Sequence, residues 1–488
     1  MSIERIRNQG TMFGHPKALF LLFGTEMWER FSYYAMRAIL VLYLTTKVQE
    51  GGLGWSSADA LNLYGIFTGL VYLTPLIGGW LADQYLGQRK AIIIGGFMMA
   101  IGQFLLGTPH AWVPGKEVEV FYAGLAFLIA GNGLFKPNIS TMVGDLYEEG
   151  DHRRDGAFTI FYMGINLGAF LSGIVVGSVV EAFDGNWQAG FICAGIGMVL
   201  SLLIQMLFAR KLLGPIGIEP AAKRSQRESN SDKFEPLTKV EFDRIKVIFI
   251  MGVFTIIFWA GFEQAGGLMN LYTNKFTDRT IDALAFEVPT TWFQSLNPFF
   301  IFTFAPLFAW FWGKLGDKEP SSPVKFGFGL FLLGVGFLFM IGAVLEQGGD
   351  PSVKTSMGWL VAAYFFHTMG ELCLSPIGLS MVTKLAPLRL ASVLMGVWFV
   401  FTGLANYVAG FVGSLVGVGH GAEVSEAQMI ENAMAIFAGI AITAIVSAII
   451  MWLISPMLIR WMHGAESGVH EETEQGALKK ELEGSENL

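Results

Sequence analysis

The sequence predicts an all-α integral membrane protein of about twelve transmembrane helices, arranged as two six-helix bundles. Three observations carry that prediction. Of the 488 residues, 53% are hydrophobic and only 15% are charged, whereas a soluble chain devotes about a quarter of its residues to charge. Apolar runs long enough to cross about 30 Å of hydrocarbon, roughly 20 residues, recur along the chain. A polar stretch at 212–243 divides those runs six and six. The mean hydropathy of +0.51 agrees, and the 60 glycines lie within apolar stretches, where membrane helices commonly carry them.

The runs lie near 16–47, 57–84, 88–109, 118–143, 153–182 and 186–211, then 244–275, 288–316, 322–346, 356–384, 388–418 and 428–460. A membrane β-strand needs only about 9–11 residues, and lipid admits no spanning structure besides helices and closed barrels, so these runs are helices. The longer ones tilt or project from the bilayer. Arg5 and Arg7 precede the first run, but Glu26 and Glu29 interrupt it, so it is expected to be a retained helix and not a cleavable signal. The two cysteines, Cys193 and Cys373, both sit in apolar runs, which argues against a disulfide framework. The domains expected are a bundle at 1–211, a flexible cytosolic linker at 212–243, a bundle at 244–463 and a disordered cytosolic tail at 464–488.

Charge placement tests the span count. With both termini in the cytosol, 24 of the 32 Lys and Arg fall on cytosolic segments, 5 on outside loops (Lys47, Lys116, Lys275, Arg279 and Lys354) and 3 within spans. Cytosolic segments of membrane proteins carry such an excess, and a missed or surplus helix would invert part of the chain and spoil it. The expected location is the inner (plasma) membrane of the cell, multi-pass, with both termini cytoplasmic. The net charge of −8 says little about partners, because charge here sorts by side.

An ionisable residue in mid-membrane costs about 2.5–3.5 kcal/mol on insertion scales, so those retained face a cavity or a partner. The first span carries Glu26, Glu29, Arg30 and Arg37, the fourth Lys136, the seventh Glu263, and the tenth Glu371 with His367 one turn earlier. At about 100° per residue, Glu26, Glu29, Arg30, Tyr33, Tyr34 and Arg37 share about 140° of one helix face, a stripe expected to line a polar interior. Leaving His367 aside, these spans hold three cations and four carboxylates. One acid beyond what the cations neutralise makes a seat for an exchangeable proton. The coupling ion is then H+, with no other cofactor and no metal site. A static ion-pair network that only holds helices together is the alternative. His367 reads as a satisfied interior histidine or as a proton relay, Lys136 as a cavity cation or one that snorkels to the inner boundary.

Local motifs now become specific. Gly79-Trp80-Leu81-Ala82-Asp83-Gln84-Tyr85-Leu86-Gly87-Gln88-Arg89, between spans two and three, resembles the G-x-L-A-D-x-x-x-G-x-R loop of the major facilitator superfamily, with Gly79, Asp83, Gly87 and Arg89 in the motif positions. Glu26-Met27-Trp28-Glu29-Arg30-Phe31-Ser32-Tyr33-Tyr34 resembles the E-x-x-E-R-F-x-Y-Y signature of proton-dependent oligopeptide transporters, the POT or PTR family. Phe161-Tyr162-Met163-Gly164-Ile165-Asn166-Leu167-Gly168, Phe258-Trp259-Ala260-Gly261-Phe262-Glu263-Gln264, Trp292-Phe293-Gln294-Ser295-Leu296-Asn297-Pro298 and Gly370-Glu371-Leu372-Cys373-Leu374-Ser375-Pro376 resemble further motifs of that family, in its order. The chain departs from many bacterial members in lacking apolar runs for two additional helices between the halves. It departs from animal members in having Gly65 where they carry a histidine, and in leaving no room near 347–356 for their external domain. A prokaryotic-type member is the expectation.

The resemblance implies a major facilitator fold and proton-coupled symport of di- and tripeptides into the cell, not an enzymatic activity. It implies that Arg37 and Lys136 face the peptide carboxylate, while Glu371 with Asn166 and Asn297 receives the α-amino group. Tyr34 and Tyr72 would touch the peptide, Ser375 would join the site, and Trp259 and Trp398 would shape side-chain pockets; Tyr72 and Trp398 as plain packing is the alternative. Glu26, Glu29, Arg30 and Glu263 would couple proton movement to conformation. Arg37–Glu263 and Lys136–Glu371 would be salt bridges between the halves that form and break as access alternates. The implied partners are peptide, protons and the bilayer, without nucleic acid. A related transporter of nitrate, a drug or an amino acid is the rival reading, and a peptide sensor without transport a remoter one.

Overall fold

The computed structural model describes residues 11–148, 151, 153–221, 237–387, 390–418 and 424–465, and each apolar run read from the sequence is helical in it. The first half comprises α1 (Lys17–Thr45), α2 (Ser57–Leu81), α3 (Gln88–Leu106), α4 (Glu117–Asp145), α5 (Arg153–Ala182) and α6 (Trp187–Leu212). The second comprises α7 (Lys239–Phe262), α8 (Leu268–Phe276), α9 (Leu296–Leu315), α10 (Ser322–Gln347), α11 (Met357–Leu385), α12 (Ala391–Ser414) and α13 (Glu426–Trp461). A 3-10 turn at Glu263–Ala265 joins α7 to α8 as one crossing, and another at Thr290–Ser295 leads into α9. Helices start where polar side chains cap them: Ser56 accepts from the Asp59 amide, Asn186 from Ala189, Ser425 from Gln428, and Thr238 forms a reciprocal box with Glu241. The strands among the described residues are two-residue pairs in end loops.

Among the described residues, eleven crossings are long and apolar enough to span a membrane. The exception, α1, has 29 residues, about 43 Å at 1.5 Å each, and fails only through its charges. Packing resolves the conflict. α1 lies against α5 and α6, and Leu19, Leu22, Ala35, Met36, Ile39 and Leu40 are fully buried. A helix sheathed by its neighbours meets protein on all sides, so its ionised groups are not presented to hydrocarbon.

The bundle has two ends, here called the linker end, which carries the connection between the halves, and the far end. Within the first half the closest partners are α3 with α4, α1 with α5 and α6, and α2 with α4; within the second they are α10 with α11 and α13, and α7 with α12. The halves meet along α2 and α12 and where α5 receives the Thr290–Ser295 turn. Glycines permit both meetings. A Cβ on Gly65 of α2 would lie 2.5 Å from the Gly410 Cα, and one on Gly173 of α5 would lie 2.5 Å from the Thr291 carbonyl oxygen. Backbone approach this close leaves room for cross-half hydrogen bonds at the far end. Thr291 donates to the Gly173 carbonyl at 2.8 Å, Ser295 to Phe170 at 2.7 Å, Trp292 Nε1 to Ile174 at 3.1 Å, and Asn270 to Ala38 at 2.9 Å.

At the linker end the superfamily-type loop is a π-helical turn, Ala82–Leu86, followed by Gly87 at φ 76°. Gly79 packs on Pro137, and a Cβ on Gly87 would meet the Ile218 carbonyl at 2.4 Å. Arg89 donates from Nη1 to the Gly214 carbonyl at 2.7 Å and from its amide to Gly217 at 2.9 Å. The linker is therefore shorter than the expected 212–243. Leu213 and Ile216 are buried, so the first turn after α6 is docked and not loose, and α7 begins at Lys239. Apolar residues at 213 and 216 explain the docking. The remaining linker residues 222–236 and the tail beyond Ala465, expected to be disordered, lie outside the described residues.

Candidate functional site

Between the halves lies a cavity of about 200 Å³ with polar groups on both walls. The first half contributes Tyr34 and Arg37 from α1, Tyr72 from α2, and Tyr162, Asn166 and Ser172 from α5. The second contributes Trp259 and Glu263 at the end of α7, Gln294 and Asn297 around the start of α9, and Tyr364, His367, Glu371 and Ser375 from α11. A lateral recess of about 120 Å³ shares Tyr72, Trp259 and Ser375 and adds Leu374, Gly378, Trp398, Phe399 and Thr402. Of the cargo-site residues expected from the sequence, Arg37, Tyr34, Tyr72, Asn166, Trp259, Asn297, Glu371 and Ser375 thus line the cavity, and Trp398 lines its recess.

The expected Arg37–Glu263 bridge is present. Arg37 Nη2 lies 2.7 Å from Glu263 Oε2, with side chains 11% and 6% exposed, and Arg37 Nε donates to the Tyr64 hydroxyl at 2.7 Å. Glu263 sits in the 3-10 turn that interrupts the seventh crossing. That turn brings its carboxylate to the side of the first half.

The expected Lys136–Glu371 bridge is not made in this structure. Lys136 is absent from the cavity lining, and its ammonium lies 4.2 Å from the Tyr72 ring centroid, a cation–π contact. Glu371 accepts from Asn297 Nδ2 at 2.7 Å, and the same amide reaches Thr368 Oγ1 at 3.1 Å. Each group is instead taken up within its own half, Lys136 by the Tyr72 ring and Glu371 by Asn297. Lys136 and Glu371 are therefore the unpaired cation and unpaired anion of the set.

The cluster expected to couple protons departs from the expectation that the whole α1 stripe lines the interior. Arg30 makes a two-pronged contact with Glu29, its Nη2 donating to Oε1 at 2.7 Å and its Nε to Oε2, while Nε also lies 3.1 Å from Glu26 Oε1. Asn132 of α4 donates to Glu29 at 3.4 Å. All three charged groups are buried and outside the cavity lining, one turn behind Tyr34. A stripe of about 140° is wide enough to face two neighbours, and the α4 side takes Glu26, Glu29 and Arg30 while Tyr34 and Arg37 take the cavity. Two carboxylates share one guanidinium there, and Glu26 Oε2 is buried without a hydrogen-bond partner. The acids without a cation of their own are thus one of the two around Arg30 and Glu371.

Sequence reasoning did not assign Tyr64, Tyr162, Gln294, Tyr364 or Thr368. Tyr162 and Gln294 stood inside quoted motifs, and Tyr364 and Thr368 share the face of Glu371 at spacings of seven and three, so helical periodicity carried a signal for these four. Tyr64 carried none, because its role depends on Arg37 reaching across from another helix. His367 does not fit the satisfied reading. It is buried, its ring packs 4.6 Å from the Phe337 centroid, and its ring nitrogens make no hydrogen bond of good geometry, the Leu333 backbone being at most a weak partner. Among the described residues no group of His, Cys, Asp and Glu is arranged to hold a metal ion. The cavity can hold a small solute between a cationic side and an acidic side, with aromatic walls for its apolar parts.

The model of the POT family matches residues 89–211 and 230–429 of this chain. The chain is 36% identical to the uncharacterized transporter YclF of Bacillus subtilis, over 95% of this chain and 98% of that protein. It is 34% identical to the peptide transporter YePEPT of Yersinia enterocolitica, over 93% and 97%. Among solved structures it resembles the peptide transporter POT in complex with sulfate, with a TM-score of 0.83, 34% identity and coverage of 95% of this chain and 99% of that one. It also resembles a POT family transporter in complex with a thioalcohol-conjugated peptide, with a TM-score of 0.82, 30% identity and coverage of 94% and 100%.

Proposed function

The chain belongs to the POT family, a family of membrane transporters and not of enzymes, and on that premise we propose that it carries di- and tripeptides into the cell by proton-coupled symport and alternating access. The observation that carries the proposal is the division of unpaired charge. Lys136 on the first half and Glu371 on the second have no ionic partner here, while Arg37 and Glu263 satisfy each other at the far end. A zwitterionic peptide offers one charge of each sign at a separation set by its backbone. It can engage a cation on one half and a carboxylate on the other, and charge-assisted hydrogen bonds at both ends supply affinity independent of its side chains. Because it bridges the halves, it binds the closed arrangement better than the open one, which is what lets a ligand bias the equilibrium.

The linker end is the cytosolic end in this reading, from the excess of Lys and Arg on its loops, and the protein sits in the plasma membrane with both termini inside. The acid surplus around Arg30 is the seat of the transported proton. One proton entering down about 100 mV releases about 2.3 kcal/mol, and each pH unit adds about 1.4 kcal/mol. Together they sustain a peptide gradient of several hundredfold at about 1.4 kcal/mol per tenfold.

Proteoliposomes test both parts. Labelled dialanine should accumulate when the lumen is made alkaline and negative, and trialanine should compete while tetra-alanine, free alanine and nitrate do not. Glu29→Gln should abolish gradient-driven accumulation yet retain part of the counterflow exchange. Accumulation by that variant at the wild-type level would end the proton assignment, and competition by nitrate or free alanine alone would end the peptide assignment.

A further inference from the structure

A second cavity, of about 690 Å³, lies at the linker end within the second half and shares no lining residue with the central one. Its walls are the turn between α9 and α10 at 316–322, the part of α11 beyond Pro376, and the end of α13. Two features of this lining suit an anion. Lys384 of α11 is exposed and, among the described residues, has no ion-pair partner. Lys325, by contrast, holds Glu319 and lies 4.7 Å from the Trp312 ring centroid, so the acid of the lining is already neutralised. The second feature is the start of α10. Ser321 occupies the N-cap position without capping an amide, and its Oγ is buried without a hydrogen-bond partner. Amides left unsatisfied at a helix start favour a carboxylate.

The chain itself brings carboxylates to this place. α13 ends where His463 and Gly464 take φ of 49° and 78°. That turn is pinned, with His463 Nε2 at 3.0 Å from Asp243 Oδ2 and Arg244 Nε donating to the Met462 carbonyl at 3.2 Å. Met462 and Gly464 both line the cavity. Residues 466–488 follow, with seven glutamates against two lysines. At about 3.5 Å per extended residue, Glu466 lies within about 7 Å of the Gly464 wall. Glu471, Glu472 and Glu474 come within ten residues of Gly464. A tether of this kind keeps its segment at an effective concentration of about 1 mM, so contacts too weak to retain a free anion retain a tethered one.

We propose that the acidic segment beginning at Glu466 docks in this cavity, its carboxylates on Lys384 and on the uncapped start of α10. The contact ties the end of α13 to the part of α11 beyond Pro376. An interior proline removes a helix hydrogen bond and lets the two parts of a helix flex against each other. The other part of α11 carries Glu371 and Ser375 into the central cavity, so a tail held at the linker end slows the movements of α11 during transport.

The experiment uses the purified full chain with Ser380→Cys, an exposed position on the cavity wall, and follows maleimide labelling there by mass spectrometry. Each rate is divided into that of a chain ended after Ala465 and carrying the same substitutions, which gives the protection due to the tail. Protection should be about tenfold, as when the effective concentration of a tethered segment exceeds its dissociation constant tenfold. Lys384→Glu should lower it about two- to fivefold, the worth of one exposed pair, and about 0.5 M salt should lower it too. Adding Glu466→Lys, Glu471→Lys and Glu472→Lys to Lys384→Glu should restore it, which a merely structural role for Lys384 would not produce. Equal labelling with and without the tail overturns the docking. Protection given by phosphatidylglycerol vesicles to both chains, and by the tail to neither, assigns the cavity to a lipid headgroup and overturns it as well. In proteoliposomes the chain ended after Ala465 should take up labelled dialanine faster than the full chain, and an equal rate overturns the restraint on α11. A full chain that carries no dialanine overturns the peptide reading above, while the labelling still decides the docking.

Discussion

The two ends of the central cavity treat the same kind of ion pair differently. At the far end Arg37 and Glu263 are joined at 2.7 Å, and around them hydroxyls of the second half donate to carbonyls of the first at positions where glycine lets the backbones touch. Toward the linker end Lys136 rests on the Tyr72 ring and Glu371 on an amide, each held within its own half. The difference teaches that a buried charge pair does not close an interface by itself. Desolvation offsets most of the Coulombic attraction of a buried pair, so closure leans on accompanying contacts, and beside Arg37 and Glu263 the second half supplies them through Thr291 and Ser295. Lys136 and Glu371 keep no ionic partner of their own, and a cation and an anion on opposite halves are what a zwitterionic cargo needs.

The largest expected effect comes from breaking the sealed end. Glu263→Gln leaves the Arg37 guanidinium buried with only the Tyr64 hydroxyl and neutral groups, and loss of one partner of a buried pair costs about 3–5 kcal/mol. The far end should open. Cysteine placed at Ser172, in a background with Cys193 and Cys373 replaced by serine, should become reactive toward an impermeant maleimide added outside intact cells. Labelling no faster than with Glu263 present would mean that the glycine seam, and not the pair, holds that end shut.

The next effect belongs to the open end. Glu371→Gln removes one charge-assisted hydrogen bond to the cargo, about 1.5–3 kcal/mol, equivalent to roughly a 10- to 150-fold rise in the KM for dialanine at 1.4 kcal/mol per tenfold. Equal rises for dialanine and for a dipeptide analogue without its amino group would show that Glu371 acts on conformation and not on the amine.

The smallest effect tests how Lys136 is held. Tyr72→Phe keeps the ring and should leave dialanine affinity within about threefold of wild type. Tyr72→Leu removes a contact of about 0.5–2 kcal/mol and should weaken binding further than the phenylalanine variant does. Identical affinities for the two would show that the ring–ammonium contact has no part in positioning Lys136.

The polar stripe on α1 shows how far the site could be read beforehand. Periodicity placed Glu26, Glu29, Arg30, Tyr34 and Arg37 on one face, and that is where they are. It did not tell which neighbour each part of the face meets, so the separation of the Arg30 cluster from the cavity was invisible. The Lys136–Glu371 pair shows the complementary failure. The residue types, their depth and their opposite halves were legible, but whether they touch depends on how far the halves stand apart at one end. Tyr64 was illegible for a third reason: it meets the Arg37 guanidinium from another helix.

Hydropathy, helix period and charge asymmetry are local properties, and the bilayer imposes the same span length wherever they occur. For that reason residue order alone determined the helical class, the twelve crossings and the short list of charged residues worth attention. Pairing is not local. Arg37 and Glu263 meet across 226 residues of chain, and Lys136 and Glu371 do not meet, because each is held by a neighbour in its own half. Only the tertiary structure could decide that, since a rigid-body displacement of a few ångströms makes or breaks an ion pair without altering a single helix.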